Sequence, residues 1–521
     1  MTKHRLILLG LGALFFASTL FLLKGDFFVS PDENAAFVFA KHWSETGSFR
    51  LSEPLNVKLV GLLHPRSAIG WGPSIVPVGF LGFFALAGIV GATLGSSAVL
   101  LVTPVLAILA IAAWRQVVLQ VFTDKQLANL ATFFLALHPA FWYYSGRVMM
   151  PNVAFLAFLI FALWLASRQK RQLFLAGLCL GMAIFIRTSE VTWVLPVALI
   201  LVVAARVRIV PILCGAALVA LVMFAQNDAT FGNPFTFGYT AEFPFYFTTP
   251  VSHEIAQLES SPTANGQQLK ALSPLLPFGF HEMNIWRNVG DYVFKLYPWM
   301  AVPMFVGLFA VLANEQRRDR RWRVIVAIGG VMSLVLIAVY GSWLVIDNPD
   351  ASIVSLGNSH VRYWLPLFAV GSLFSAYAFK LFIVERRYLA YVSLGLVAVL
   401  STHLVFWGHD GFIESRKALL TFVEKRAAIL EATESEAVVV VDRADKYLFP
   451  YRRVMVPLRS EVTYAAMPFI VEQAPLYYFG ITLPEQDINY LNEVKLAEDE
   501  LQIKKVLTVQ EESLYSITRA P

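Results

Sequence analysis

The chain has 521 residues, of which 57% are hydrophobic and 15% charged, with a formal net charge of +5 and a mean hydropathy of +0.62. A soluble domain averages roughly 45–50% apolar and about 25% charged residues, and here the apolar excess collects in runs fit to cross a bilayer core, so an ordinary soluble protein is excluded. The basic residues form short clusters between apolar runs, with no basic patch interleaved with aromatics, which argues against nucleic acid as a partner.

In chain order, apolar runs fall near 6–23, 74–93, 97–113, 127–143, 151–166, 172–186, 190–205, 209–226, 297–313, 324–346, 361–379 and 388–407. The first follows Lys3 and Arg5 with no small-residue cleavage pattern behind it, so it reads as an uncleaved anchor. Cys179 and Cys214 both lie inside apolar runs, which points to neither a disulfide framework nor a cysteine metal site. The Lys/Arg clusters (Lys3/Arg5, Arg115/Lys125, Arg168/Lys170/Arg171, Arg206/Arg208, Arg317 to Arg323, Lys380/Arg386/Arg387) stay cytoplasmic by the positive-inside rule. From Arg115 onward every second loop is basic. The loops near 144–150, 187–190, 227–296 and 344–360 are then expected outside. The alternation closes only if the Gly- and Pro-rich run 74–93 dips in and returns, as backbone buried by protein can. The expected architecture is a polytopic α-helical membrane protein of about eleven crossings plus this re-entrant segment, with a cytoplasmic N-terminus.

Composition changes after Trp407. Residues 410–432 carry apolar positions at helical spacing, Val438 to Val441 reads as a buried strand, and strand-like runs recur near 475–479, 501–508 and 512–517 around a helix-like stretch at 483–497. The expected division is a transmembrane domain over 1–408 and a small extracytoplasmic α/β domain over 409–521, without a glycine-rich phosphate loop.

Two long outside segments, 24–73 and 227–296, hold the residues with chemical interest. Asp32 and Glu33, directly after the first crossing, suit a general base with an acidic partner, because taking a proton from a hydroxyl needs an ionised carboxylate within reach. The same Ser30-Pro-Asp-Glu33 string also fits a helix cap, with the acids complementing the helix dipole. Arg147 after Tyr143-Tyr144, Arg187 near Glu190, and Arg362 after His360 are all expected at the outer face. Several arginines converging there suit a lipid phosphate, since guanidinium forks match phosphate oxygens; each alone also fits snorkelling or, for Arg187, a pair with Glu190. His64, Arg66 and Trp71 precede the run 74–93, where an aromatic face suits stacking on a sugar. No metal-binding spacing and no nucleotide fingerprint is present. The polar stretch 252–272 reads as a gate.

Taken together, Pro31-Asp32-Glu33, His64-Pro65, His138-Pro-Ala-Phe-Trp-Tyr-Tyr-Ser-Gly-Arg147, Met150-Pro151, Gly181 to Arg187, Phe231 to Tyr239 and Arg362-Tyr-Trp-Leu-Pro366 resemble, in order and spacing over roughly 1–410, the GT-C membrane glycosyltransferases. The likeness is to the relatives of protein O-mannosyltransferases and of the aminoarabinose transferase acting on lipid A. It implies a sugar donor on a polyprenyl phosphate, an active site at the outer membrane face and inversion at the anomeric carbon; no cofactor is expected beyond the lipid-linked donor, and metal dependence is left open. Carried over, Asp32 is the base and Glu33 its partner, and Arg147, Arg187 and Arg362 fall near the lipid phosphate; on the reading of the residues themselves, His360 and Tyr144 join the phosphate group and His64, Arg66, Trp71 and Tyr363 are candidates for the sugar or acceptor. The acceptor, whether glycan, lipid or protein, is left open, and the expected location is the inner (plasma) membrane. A transporter or flippase is the alternative, but it predicts charges near the midplane and repeat symmetry between halves, and neither is seen. An assembly protein with a partner-recruiting outside domain is a second alternative.

Overall fold

The structure, a computed structural model, describes residues 3–168, 172–206, 208–241, 276–314, 318–345 and 352–521. The expected gate at 252–272 lies outside them. The chain divides into two compact units, one of Met1–Leu22, Leu100–Met223 and Leu269–Arg416, the other of Leu23–Val99, Phe224–Gln268 and Lys417–Pro521.

The first unit is helical. Among the described residues of the whole chain, seven helices are long and apolar enough to cross a membrane: Ser96–Phe122, Pro151–Arg168, Thr188–Ala205, Ile209–Phe231, Arg320–Ser342, Leu365–Glu385 and Arg387–Ala432. An eighth arises if Glu282–Lys295 and Pro298–Ala313, bent by 100°, form one span. The bend falls at Tyr297, which precedes a proline and so leaves the helical region. The chain is therefore a multi-pass membrane protein.

Two expected runs take a different form. The run 127–143 is two helices, Lys125–Ala136 and Pro139–Gly146, because Pro139 forces His138 into an extended conformation. The run 74–93 is a strand, Ser74–Pro77, followed by the helix Leu81–Leu94, whose 14 residues reach only about 21 Å against a hydrocarbon core of about 30 Å. Helices Val102–Phe122, Lys125–Ala136, Pro151–Arg168 and Leu365–Glu385 pack on one another. Leu173–Ile186 and Ile209–Phe231 meet backbone to backbone, a Cβ on Gly177 falling 2.1 Å from the Ile212 carbonyl oxygen and one on Gly215 2.2 Å from that of Phe174. Small residues at such a crossing are how helices associate where no hydrophobic force separates them from lipid.

The second unit joins the segment after the first helix to the C-terminal residues. Helix Pro31–Thr46 packs on Leu81–Leu94. Between them, β1 (Leu51–Ser52), β2 (Ala68–Trp71) and β3 (Ser74–Pro77) form an antiparallel sheet in the order β1-β3-β2. The C-terminal part has a mixed sheet of β4 (Val438–Val441), β5 (Arg453–Met455), β6 (Leu476–Ile481), β7 (Leu501–Val509) and β8 (Glu512–Arg519), in the order β5-β4-β6-β8-β7. β4 runs parallel to β5 and β6, and β8 antiparallel to β6 and β7. The strand β5 and the helix Glu461–Gln473 are additional to the sequence expectation.

The four-valine strand is buried on both faces. Val438 and Val440 enter one core together with Leu59, Val60 and Leu63, while Val439 and Val441 enter another with Phe27, Leu419 and Ile429. A strand covered on both sides needs continuous apolar residues. Part of that cover comes from the segment 24–73, some 400 residues away in sequence. The two stretches share a core.

Candidate active site

In the second unit, Asp32 stands in the first turn of helix Pro31–Thr46. Ser30 caps that helix: its hydroxyl accepts from the Asp32 amide at 3.3 Å, and the Glu33 carboxylate accepts from the Ser30 amide at 3.2 Å, completing a capping box. Glu33 is 2% exposed, its carboxylate turned back onto its own helix start. Asn34 fixes the approach, accepting from the Phe28 amide and donating to the Phe28 and Ser30 carbonyls. The helix cap foreseen in the sequence is thus formed, and it holds the Asp32 backbone in place. The carboxylate is held separately, by Ser67, whose hydroxyl donates to Asp32 Oδ1 at 2.5 Å.

Ser67 has φ +64, in the left-handed region where a Cβ crowds the following carbonyl. Its neighbour Arg66 is clamped by Asp445: the Arg66 amide donates to Oδ2 at 2.8 Å, Nε to both oxygens at 3.0 and 3.1 Å, and Nη2 to Oδ1 at 2.6 Å. Arg66 is therefore committed to an ion pair within the protein. His64 Nδ1 lies 2.9 Å from the Pro65 carbonyl oxygen. Loss of hydration pushes the His64 imidazole below its ordinary pKa, against the opposing pull of the Pro65 carbonyl and the Asp445 carboxylate. Trp71 meets Phe231 edge to face at 5.7 Å. A Cβ on Gly70 would fall 2.3 Å from the Gly61 Cα, so the two backbones touch at the base of this loop.

Two further ion pairs tie 24–73 to the C-terminal residues. Asp26 accepts from Arg426 Nη1 at 2.6 Å and from the Tyr451 hydroxyl. Burial works to raise the Asp26 pKa, but the bonds from Tyr451 and Arg426 outweigh it and hold the carboxyl below its usual range. Glu53 pairs with Arg453 at 3.0 Å.

In the helical unit, Arg187 ends helix Leu173–Ile186 and Glu190 sits in the following 3₁₀ turn. Glu190 Oε1 accepts from Arg187 Nε at 3.0 Å and Nη2 at 2.7 Å, and from the Tyr340 hydroxyl at 2.5 Å; Trp193 donates to Oε2. The pairing open to Arg187 in the sequence is therefore made, and both groups are buried. Arg187 also lies 4.7 Å from the centre of the Tyr363 ring and Arg362 lies 5.3 Å from it, so one ring serves two guanidiniums. Tyr340 stacks on Tyr363 at 4.4 Å. Arg362 donates to Ser359 Oγ at 3.0 Å.

Arg147 follows helix Pro139–Gly146, donates to the Tyr143 hydroxyl at 3.1 Å, and is buried. From that helix the Tyr144 hydroxyl donates to the Leu356 and Asn358 carbonyls, just before the short helix Ser359–Tyr363 that carries Arg362. His360 lies 2.8 Å from Asn358 Oδ1 through Nδ1 and 3.2 Å from the Trp343 carbonyl through Nε2, and stacks on Tyr292. Tyr144 and His360 thus brace the loop that presents Arg362. The ring of Tyr363, grouped in the sequence with His64, Arg66 and Trp71, lies beside Arg187 and Arg362.

The arginine cluster occupies one end of the unit. Helix Arg320–Ser342 begins with Arg320, Arg321 and Arg323 and reaches Tyr340 about 30 Å later; helix Leu365–Glu385 begins beside Arg362 and carries Lys380 near its other end. The basic loops are therefore at the opposite end from Arg187, Arg362 and Tyr363. Ser67, Asp445 and Tyr340 were not singled out from sequence. Ser67 adjoins a flagged residue, but Asp445 and Tyr340 find their partners only through the fold.

No protein-family model matches the sequence, and no curated protein matches it. The fold does have solved counterparts. ArnT from Cupriavidus metallidurans bound to undecaprenyl phosphate superposes with a TM-score of 0.58 at 13% identity, over 99% of this chain and 98% of that one. The apo state of the same protein gives 0.55 at 12% identity, over 98% and 97%. The likeness to these structures is one of fold, and it covers nearly the whole chain.

Proposed function

We propose that the chain is an integral membrane glycosyltransferase. It moves a sugar from a polyprenyl-phosphate donor to an acceptor hydroxyl or amine at the outer face of the inner membrane, with inversion. The observation that carries this reading is the pair of arginines around Tyr363, Arg187 buried and Arg362 half-buried, at the helix ends away from the basic loops, in a fold shared over nearly the whole chain with an ArnT bound to undecaprenyl phosphate. Buried arginines at membrane depth are costly and are kept for partners or function.

The reaction is a single displacement. The acceptor heteroatom attacks the anomeric carbon, the bond from that carbon to the phosphate oxygen breaks, and the acceptor proton passes to a carboxylate. Asp32 is the proposed base, oriented by the capping box and by Ser67. Glu33 supports it through the helix start. The leaving group is a lipid phosphate, so cations that meet its developing charge supply much of the stabilisation. Arg362 and Arg147 are the proposed phosphate ligands. Arg187, neutralised by Glu190, holds Tyr363 and shapes the cluster. His64 and Trp71 are proposed on the sugar or acceptor side.

The test is the stereochemistry of transfer. Purified protein in nanodiscs is given a panel of polyprenyl-phosphate sugars of known anomeric configuration with a native membrane extract, and products are read by NMR. A product of opposite configuration is expected. Retained configuration contradicts the single displacement, and no transfer from any donor removes the transferase reading.

A further inference from the structure

Asp445 is 0% exposed and stands at the head of the short helix Asp445–Leu448, directly after β4. Its carboxylate receives the Arg66 guanidinium and, more tellingly, the Arg66 main-chain amide at 2.8 Å. An ion pair alone would hold only the tip of a long side chain. The bond to the amide fixes the main chain at residue 66, and with it the direction in which residue 67 leaves. Arg66 Nη2 donates as well to the Arg443 carbonyl at 3.1 Å, so the clamp has two footholds beside β4. On the far side the Val78 amide donates to the Ser67 carbonyl at 3.2 Å. Held at both ends, Ser67 keeps a left-handed conformation that L residues rarely adopt, and its hydroxyl reaches Asp32 Oδ1 at 2.5 Å. The Asp445–Leu448 helix also packs on helix Pro31–Thr46, the one that carries Asp32.

From this we infer that Asp445 is a positioning residue for Asp32. The C-terminal sheet sets the orientation of the candidate base through Asp445, the Arg66 backbone and Ser67. The C-terminal residues are then part of the reaction machinery rather than a detachable cap. The inference rests on Asp32 acting as the base.

Asp445→Asn, Ser67→Ala and their combination are tested in the full chain in nanodiscs. For each single variant, kcat for sugar transfer falls roughly 10- to 100-fold, the scale of a misplaced reacting group, while KM for the donor stays within about twofold. The double variant is no slower than the slower single, because Asp445 acts through Ser67. Losses that multiply in the double variant overturn the inference. Asp445→Asn leaves a guanidinium without its counter-charge and can fail to fold, so Arg66→Met/Asp445→Leu serves as a second variant. It replaces the pair by apolar groups, which a fold tolerates, but lacks the amide anchor. The same fall in kcat with a wild-type melting temperature is expected, and wild-type kcat in this folded variant overturns the inference. A cryo-EM structure of either variant needs no activity: Ser67 is expected beyond hydrogen-bond reach of Asp32, and a retained 2.5 Å contact overturns it. If the wild-type protein transfers no sugar, the proposed function falls, and that structure still decides whether Asp445 sets Ser67 against Asp32.

Discussion

In the helical unit, Arg187 finds its carboxylate three residues away, at Glu190. In the other unit, Arg66, Arg426 and Arg453 find theirs at Asp445, Asp26 and Glu53, separated in sequence by 379, 400 and 400 residues. The contrast follows from solvent. A guanidinium at the end of a membrane helix has lost its water, so it is met by the nearest carboxylate, by a tyrosine hydroxyl and by the Tyr363 ring. The guanidiniums of the second unit keep more contact with water even where the carboxylate, as at Asp445, is buried, and the effect of these pairs is to stitch two distant stretches of chain around one sheet. One set of pairs stabilises a charge; the other stabilises a connection.

The largest expected effect breaks the first kind. Glu190→Gln leaves Arg187 buried without a counter-charge and takes the strong acceptor from Tyr340, at a cost of about 3–5 kcal/mol. The thermal midpoint in nanodiscs should fall sharply, and an unchanged midpoint would mean that Arg187 reaches water. Next comes the loop that carries Ser67. Gly70→Ala drives a methyl into Gly61, with overpacking of about 1–3 kcal/mol, and should lower sugar transfer more than it lowers the melting temperature. Equal losses in both would make this loop a matter of stability alone. Tyr363→Leu removes the ring shared by Arg187 and Arg362, worth about 0.5–2 kcal/mol per cation. Native mass spectrometry should find weaker retention of undecaprenyl phosphate, and retention at the wild-type level would dissociate the ring from phosphate binding.

The smallest effect is a pH response of the second unit. The His64 pKa is lowered in the fold, so the neutral ring favours folding at higher pH. That advantage drains away as pH falls from about 6.5 toward the lowered value. Asp26 is also lowered, so its share persists above the ordinary carboxylate range and is lost only as pH falls through the lowered value. Between pH 7 and 5 the response therefore belongs to His64. Hydrogen exchange over 24–66, corrected for intrinsic rates, should show a small loss of protection that His64→Asn abolishes. A loss that survives the substitution points to another group.

The same contrast explains what the sequence could reveal. Apolar runs, the Ser30 cap, the Arg187–Glu190 pair and the strands β4, β6, β7 and β8 are written in residues close together, and periodicity or spacing exposes them. The break at Pro139 was equally local, but a long apolar run hid it. Asp445 and the cover that Leu59 and Leu63 give to β4 depend on contacts between residues hundreds of positions apart, for which one sequence carries no local signal. Tyr363 is visible as a residue, but its place beside two arginines is not, because a cation over an aromatic face leaves no spacing to read.

The most direct test of the central claim is a single-turnover assay with radiolabelled polyprenyl-phosphate sugar and native membrane extract, comparing wild type with Asp32→Asn. The account predicts labelled product from the wild type and a loss of at least about 100-fold in the variant, with folding and donor binding retained. Equal rates from the two proteins would contradict Asp32 as the base, and a folded wild type that transfers nothing would contradict the transferase itself.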